Sequence, residues 1–236
     1  MDDWKPATAL IVGAGAGLSA SIARAFAGDG IKVTLAARDV GKLTALCRDI
    51  GAATFACDAS DAHQVETLFA SLDNGPDGAP DAVVYNPSYR VRGPLIELAP
   101  EDVARTLMVT AFGGFVVGQQ AVRRMLAKGR GAIVFTGASA SVKGYAQSAP
   151  FAMGKFALRG LAQSMAREFQ PRGIHIAHVN IDGGIRNEKR GYVEKPGQPD
   201  SFLDPDAIAA TYLHLVRQHR SAWTFELEVR PWLESF

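Results

Sequence analysis

Two kinds of apolar segment alternate along this chain, and that alternation restricts what it can fold into more than any other feature. Short β-rich runs occupy Thr8–Val12, Val33–Ala36, Thr54–Cys57, Ala82–Tyr85, Ala132–Thr136 and Ile174–Asn180. Between them, apolar residues recur at three- and four-residue spacing, the period of an amphipathic helix. These stretches are Leu18–Ala27, with Leu18, Ile22, Ala25 and Phe26 on one side, then Lys42–Ile50, Gln64–Leu72 and the longer Glu101–Leu126. Short apolar strands without polar alternation are buried on both faces, and a helix between two of them is a crossover that leaves them parallel. The pattern predicts an α/β fold: one doubly wound parallel sheet of about seven strands with helices on both faces. Asp204-Pro205 opens a predicted helix over Asp204–Gln218, and the alternating run Phe225–Val229 is predicted as the closing strand. No linker or internal repeat divides the 236 residues, so one domain spanning 1–236 is expected. The one long loop, Gly183–Asp200, has the length of a lid or binding segment.

Composition narrows the function classes. With 47% hydrophobic and 21% charged residues the chain has the makeup of an ordinary globular protein. A net charge of +1 supplies no basic field for a phosphate backbone, so nucleic acid is not expected as a partner. No apolar run approaches the ~20 residues that span a bilayer, and the first residues, Met1-Asp2-Asp3-Trp4-Lys5-Pro6, are unlike a secretory signal. A cytoplasmic protein away from the membrane is expected. Cys47 and Cys57 form no CxxC pair, and His175 and His178, three apart on a strand, point to opposite faces, so no metal site is expected.

After the first strand comes Gly13-Ala14-Gly15-Ala16-Gly17-Leu18-Ser19, leading into a helix. Glycines here let the backbone turn tightly and approach a diphosphate, which then sits at the positive helix N-terminus. Leu18 stands where the GxGxxG fingerprint has its third glycine; the GxxxGxG spacing fits Gly13 and Gly17, with Ser19 at its last position. At the end of the second strand an NAD site calls for a carboxylate, whereas an arginine suits a 2′-phosphate. The sequence there is Ala36-Ala37-Arg38, which favours NADP, and NADPH over NADH; the plainer alternative is a surface arginine paired with Asp39.

With these pieces in place, the chain resembles the short-chain dehydrogenase/reductase superfamily along nearly its whole length. The likeness is carried by Gly13…Gly17, Cys57-Asp58, Tyr85-Asn86-Pro87-Ser88, Lys155 with the apolar helix after it, and Ile181-Asp182-Gly183-Gly184-Ile185. It implies a Rossmann-type sheet and a nicotinamide cofactor. Gly13, Gly15, Ala16, Gly17 and Leu18 would line the diphosphate, Asp58 would touch adenine, and Asn86 would lie along the cofactor. Lys155 would hold the nicotinamide ribose, and the loop that begins near Ile185 would cover the nicotinamide and a small-molecule substrate. It also implies a homodimer or homotetramer formed through the two long helices, here Glu101–Leu126 and Phe151–Gln170.

The catalytic set departs from the family. Tyrosine is expected four residues before the lysine, on the same helix face, where the cation lowers its pKa so that it can donate a proton. That position is Phe151, as in a divergent subgroup of the family. The family serine falls at Ala138, with Ser139 next to it, and the family asparagine of the fourth helix falls at Thr110. Losing a positioned general acid costs about 10²–10⁴ in rate, and losing an oxyanion donor about 10²–10³; neither loss touches cofactor binding. Ser139 and Tyr145, or water, are the candidate replacements, beside a retained Lys155. Tyr89, Arg90 and Arg92 begin a substrate loop, where the arginines grip an acidic substrate or are simply solvated. Trp223, Arg230 and Trp232 are expected to pack the last strand against the domain or a second subunit. Two functions follow: an NADP-dependent oxidoreductase with altered proton delivery, or a catalytically silent NADP(H)-binding sensor or structural partner. A third reading, resting on Ser19 and Pro87, is a pocket that has lost the dinucleotide too.

Overall fold

The computed structural model describes residues 4–188, 191–194 and 196–234. Seven strands, β1 (Thr8–Val12), β2 (Lys32–Ala37), β3 (Ala53–Ala56), β4 (Ala82–Tyr85), β5 (Gly131–Thr136), β6 (Ile174–Ile181) and β7 (Glu226–Val229), form one sheet in the order β3-β2-β1-β4-β5-β6-β7. Every neighbouring pair is parallel. Alternate residues of β1 feed two separate cores. Ala9 and Ile11 join Ile22, Phe26, Leu35, Ile208 and Leu215, whereas Leu10 and Val12 join Phe69, Val117, Phe135 and Leu158. Burial on both faces is what the unbroken apolar strands required.

One face is covered by α1 (Leu18–Gly28), α2 (Thr44–Ile50) and α7 (Pro205–Val216), the other by α3 (Ala62–Asp73), α5 (Gly113–Lys128) and α6 (Ala149–Phe169). Asp204 caps α7 by accepting from the Asp206 N–H at 2.8 Å, with Pro205 in the first turn, as its sequence indicated. The predicted Glu101–Leu126 helix is interrupted. It comprises α4 (Pro100–Leu107), a π-helical turn over Met108–Phe112, and α5. The Val109 carbonyl in that turn accepts from the hydroxyl of fully buried Tyr85. Gly113 follows because a Cβ there would lie 2.4 Å from the same hydroxyl and 2.6 Å from the Ala59 carbonyl oxygen.

The order of strands reverses direction between β1 and β4, so the crevice that accepts ligands in open α/β sheets lies beyond the carboxyl ends of these two strands. Gly13 and Asn86 both emerge there. The described residues of the 183–200 loop are tied to the domain at several points. Ile185 bridges Leu203 in parallel, Asn187 bridges Tyr192, Arg186 pairs with Asp204 at 2.5 Å, and Trp232 donates to the Pro199 carbonyl at 3.1 Å. Of this predicted lid, residues 189, 190 and 195 lie outside the described residues. Trp223 stacks on His175 with ring centroids 4.9 Å apart and Arg230 binds Asp182 at 2.6 Å, both packing the end of the domain, while Trp232 stays largely exposed.

Candidate active site

The glycine turn is locked from behind and bare in front. Gly13 adopts φ +78°, and its N–H and that of Ala14 donate to the Ala36 carbonyl at 2.9 and 3.0 Å. A Cβ at Gly13 would lie 2.7–2.9 Å from three atoms of Pro87, so this position needs glycine for conformation and for space. The Asn86 amide donates to the Ser19 hydroxyl at 2.7 Å, and Ser19 donates to the Gly13 carbonyl at 3.0 Å. Ser19 and Pro87, the residues that raised doubt about the pocket, are therefore the bolts that hold the turn to the ends of β1 and β4.

In front, Ala16 is exposed and a Cβ at Gly15 would meet nothing within 4 Å. Gly17 caps α1 without a side-chain acceptor, and no acid occupies the first turn; Ala20 and Ser21 N–H donate to the Gly17 carbonyl, which leaves the Leu18 and Ser19 N–H groups at the positive end of the helix. This cradle fits a diphosphate. The loop supplies a residue the sequence reading passed over: the Asn187 amide nitrogen lies 3.8 Å from where a Cβ of Gly17 would stand. Its signal was absent because the contact depends on the path of the loop. Ile185, half-buried, anchors that loop through its bridge to Leu203.

Farther along the crevice, Arg38 is exposed at the end of β2. Asp39 is not its partner; it binds Lys42 at 3.0 Å and caps the Gly41 N–H. The charge of Arg38 is instead felt by Asp58. Burial raises the Asp58 pKa, but hydrogen bonds from the Ser60 hydroxyl and N–H, together with Arg38, win and hold it below the usual value. Cys57 is pushed the other way, to about 11, by burial and then by Asp58 and Asp61, so its thiol is unreactive near neutral pH.

At the other end of the crevice Lys155 is buried on α6, its Nζ donating to the Thr136 carbonyl at 2.7 Å. Burial lowers its pKa to about 8. One turn earlier, the Phe151 ring is near two cations: Lys155 Nζ is 5.9 Å from its centroid and the Arg90 guanidinium carbon 4.7 Å. Thr110 sits in the π-helical turn packed against Gly154, completely buried, with no hydrogen-bond partner for its hydroxyl. Half-buried Ser139 opens the short turn after β5. The turn itself is fastened by Ser141, which accepts from the Ala138 N–H at 3.1 Å. Among the described residues nothing hydrogen-bonds the Ser139 hydroxyl.

Tyr145 is not on the Lys155 helix face. It is 45% exposed in the preceding loop, with Lys143 5.9 Å from its ring, and Lys143 reaches Asp182 at 3.4 Å. The structure thus unites Lys155, Phe151 and Arg90, and sets Tyr145 in a neighbouring polar group. Tyr89 is tied to α4, its hydroxyl donating to Asp102 at 3.2 Å under the Arg105 guanidinium.

The two histidines do diverge. His178 lies 3.1 Å from Glu226 and is lowered to about 4, chiefly by burial, with Glu226 opposing and Lys155 and Arg159 assisting. His175 bonds the Thr224 carbonyl at 2.9 Å on the opposite side. Among the described residues no cluster could hold a metal ion.

A Rossmann-type α/β sheet with a phosphate-receptive glycine turn at its switch point and a buried lysine on the sixth helix defines the class. This chain belongs to the short-chain dehydrogenase family, whose model, described as "short chain dehydrogenase", matches residues 7–188. It is 30% identical over 220 residues, covering 88% of this chain and 84% of the relative, to a D-threitol dehydrogenase of Mycolicibacterium smegmatis. A crystal structure of a short-chain dehydrogenase from Rhodopseudomonas palustris is 34% identical with a TM-score of 0.81, covering 95% of this chain and 98% of that one. A metagenomic short-chain oxidoreductase in complex with NADP is 26% identical with a TM-score of 0.84, covering 98% of this chain and all of the other. Among the described residues no helix is long and apolar enough to cross a membrane.

The buried lysine gives a pH prediction. We infer that this lysine binds the nicotinamide ribose; its ammonium form, the stronger hydrogen-bond donor, predominates below about pH 8. NADPH affinity is therefore expected to be flat at pH 6–7 and to weaken as pH rises through 8. Lys155→Met should bind weakly at every pH; an identical pH profile in that variant would refute the assignment.

Proposed function

We propose that this protein is an NADP-dependent oxidoreductase that acts on a small organic substrate and has an altered route for the proton. The observation that carries this reading is the contrast between the locked, outward-open glycine turn and the phenyl ring beside Lys155. When bound, NADP(H) supplies or accepts the hydride. Backbone N–H groups of residues 15–18, beyond the two that Gly13 and Ala14 give to Ala36, hold its diphosphate, Arg38 the 2′-phosphate and Asp58 the adenine side. Asn86 keeps the turn in place, Lys155 binds the ribose hydroxyls, and the 183–200 loop from Ile185 onward closes over the nicotinamide end as a lid. Ser139, with its unengaged hydroxyl, serves as oxyanion donor, and Tyr145 or water brings the proton.

The cofactor assignment is tested by Arg38→Ala. The guanidinium makes charge-assisted bonds to a phosphate that NADH lacks. The variant should lose roughly 10- to 100-fold in NADPH affinity while NADH binding changes less than about twofold, read by nucleotide fluorescence. Equal losses would refute the 2′-phosphate role. The same absence of a phenol supports a second reading, an NADP(H)-binding sensor without turnover, which a panel of carbonyl, enone and alcohol substrates separates from the first.

We further propose a homo-oligomer, dimer or tetramer, assembled through the two long helical runs. Met108, Phe112, Phe115, Met153 and Phe156 project from them 38–47% exposed, an apolar surface that a second copy would cover. Sedimentation velocity should show at least a dimer at micromolar concentration; a monomer would contradict this. Free Cys47 and Cys57 fit a reducing compartment such as the cytoplasm.

A further inference from the structure

Phe151 is covered by a residue from a distant loop. The Arg90 guanidinium lies over its ring, and Lys155 approaches the same ring from α6. Two further groups converge on Arg90. Arg92 adds a like charge, and the Tyr192 phenol of the 183–200 loop interacts with it electrostatically. Tyr192 is placed by its two backbone hydrogen bonds with Asn187, the residue that leans over the glycine turn. One loop thus links the nucleotide cradle to Arg90. Among the described residues six other arginines, such as Arg159 and Arg186, hold carboxylates, while exposed ones such as Arg38 do not. Among the described residues Arg90 and Arg92 have none within 4.0 Å.

We propose that Arg90 is the specificity-determining residue of the site and that it clamps a carboxylate on the substrate, which is therefore a small organic acid. The Arg90 guanidinium is planar, and the Phe151 ring 4.7 Å beneath its central carbon offers its N–H fork no carboxylate oxygen. That planar geometry matches a carboxylate in two parallel bonds. Burial and the charge of Arg92 both weigh against the Arg90 cation, and a bound anion relieves both. The tyrosine that normally fills position 151 has an outer end that would compete for this fork; phenylalanine leaves it free. The proposal rests on the reading of this crevice as the substrate site.

Malonate, its neutral counterpart malonamide, and inorganic phosphate, titrated calorimetrically into the NADP⁺-saturated protein, test it. Malonate should bind, malonamide should not, and phosphate should bind more weakly than malonate. Arg90→Met should lower malonate affinity about 10- to 100-fold while NADPH affinity stays within about twofold. Arg90→Lys, which keeps charge but not the fork and preserves the loop should the first variant misfold, should fall between. Equal binding of malonamide, stronger binding of phosphate, or malonate binding indifferent to both substitutions would overturn the proposal. Should neither nucleotide bind, the cofactor reading falls, and the same titrations on the nucleotide-free chain still decide the role of Arg90.

Discussion

Phe151→Tyr should raise NADPH-dependent carbonyl reduction by about 10²-fold or more over the parent, within the range a positioned general acid supplies. The new hydroxyl would extend from a ring already flanked by Lys155 at 5.9 Å and Arg90 at 4.7 Å. Both cations stabilise a phenolate, so the phenol pKa drops toward the working pH and proton donation becomes easier. The gain belongs at the lower end of that range, because Ala138 and Thr110 still lack the family's serine and asparagine, and effects in one catalytic unit are not additive. Initial rates on a ketone and aldehyde panel, parent against variant, measure it. No gain in a variant that still binds NADPH would mean the ring is not placed where a phenol reaches substrate, and the account of the lost relay would fail.

Gly13→Ala should destabilise the protein strongly, and Gly15→Ala hardly at all. Alanine at Gly13 takes on about 1–2 kcal/mol for the left-handed backbone. The methyl also presses on Pro87, whose preceding residue is fixed by the Asn86 N–H to Val12 bond at 3.1 Å, so the strand end itself must shift. We expect a loss of about 3 kcal/mol or more, which for a domain of this size is a drop of roughly 6–12 °C in Tm. At Gly15 a methyl meets nothing, so Tm should stay within about 2 °C. It would nonetheless stand in the space of the diphosphate and weaken NADPH by an order of magnitude or so. Differential scanning fluorimetry with and without NADPH separates the two. A Gly15→Ala protein that binds NADPH normally would show that the turn does not face the nucleotide.

Much of the fold was legible because burial on both sheet faces forces an apolar pattern that local turns cannot imitate. β1 and β4 fall where their unbroken apolar runs lie, and α7 starts at its Asp-Pro cap. The interruption at Met108–Phe112 was not legible, since one π-helical turn hardly disturbs a helical period; its cause, the Tyr85 hydroxyl on Val109, comes from another element. In the site, the Gly13–Gly17 turn was legible from local strand–turn–helix chemistry, whereas Lys155 was named only through the family resemblance. Residues defined by remote partners do not follow from sequence. Ser19 looked like damage until Asn86 was seen to bond it. Arg38 had an apparent partner in Asp39 that Lys42 takes instead. Asn187 and the Arg90–Phe151 stack depend on loops whose paths no periodicity encodes.

The central claim is that a working nucleotide site survives beside a dismantled proton relay, and direct titration of the unmodified protein with NADPH and NADH tests it most simply. The account predicts saturable changes in nicotinamide fluorescence, with NADPH the tighter ligand by about tenfold or more. Failure of both nucleotides to bind at millimolar concentration would contradict it.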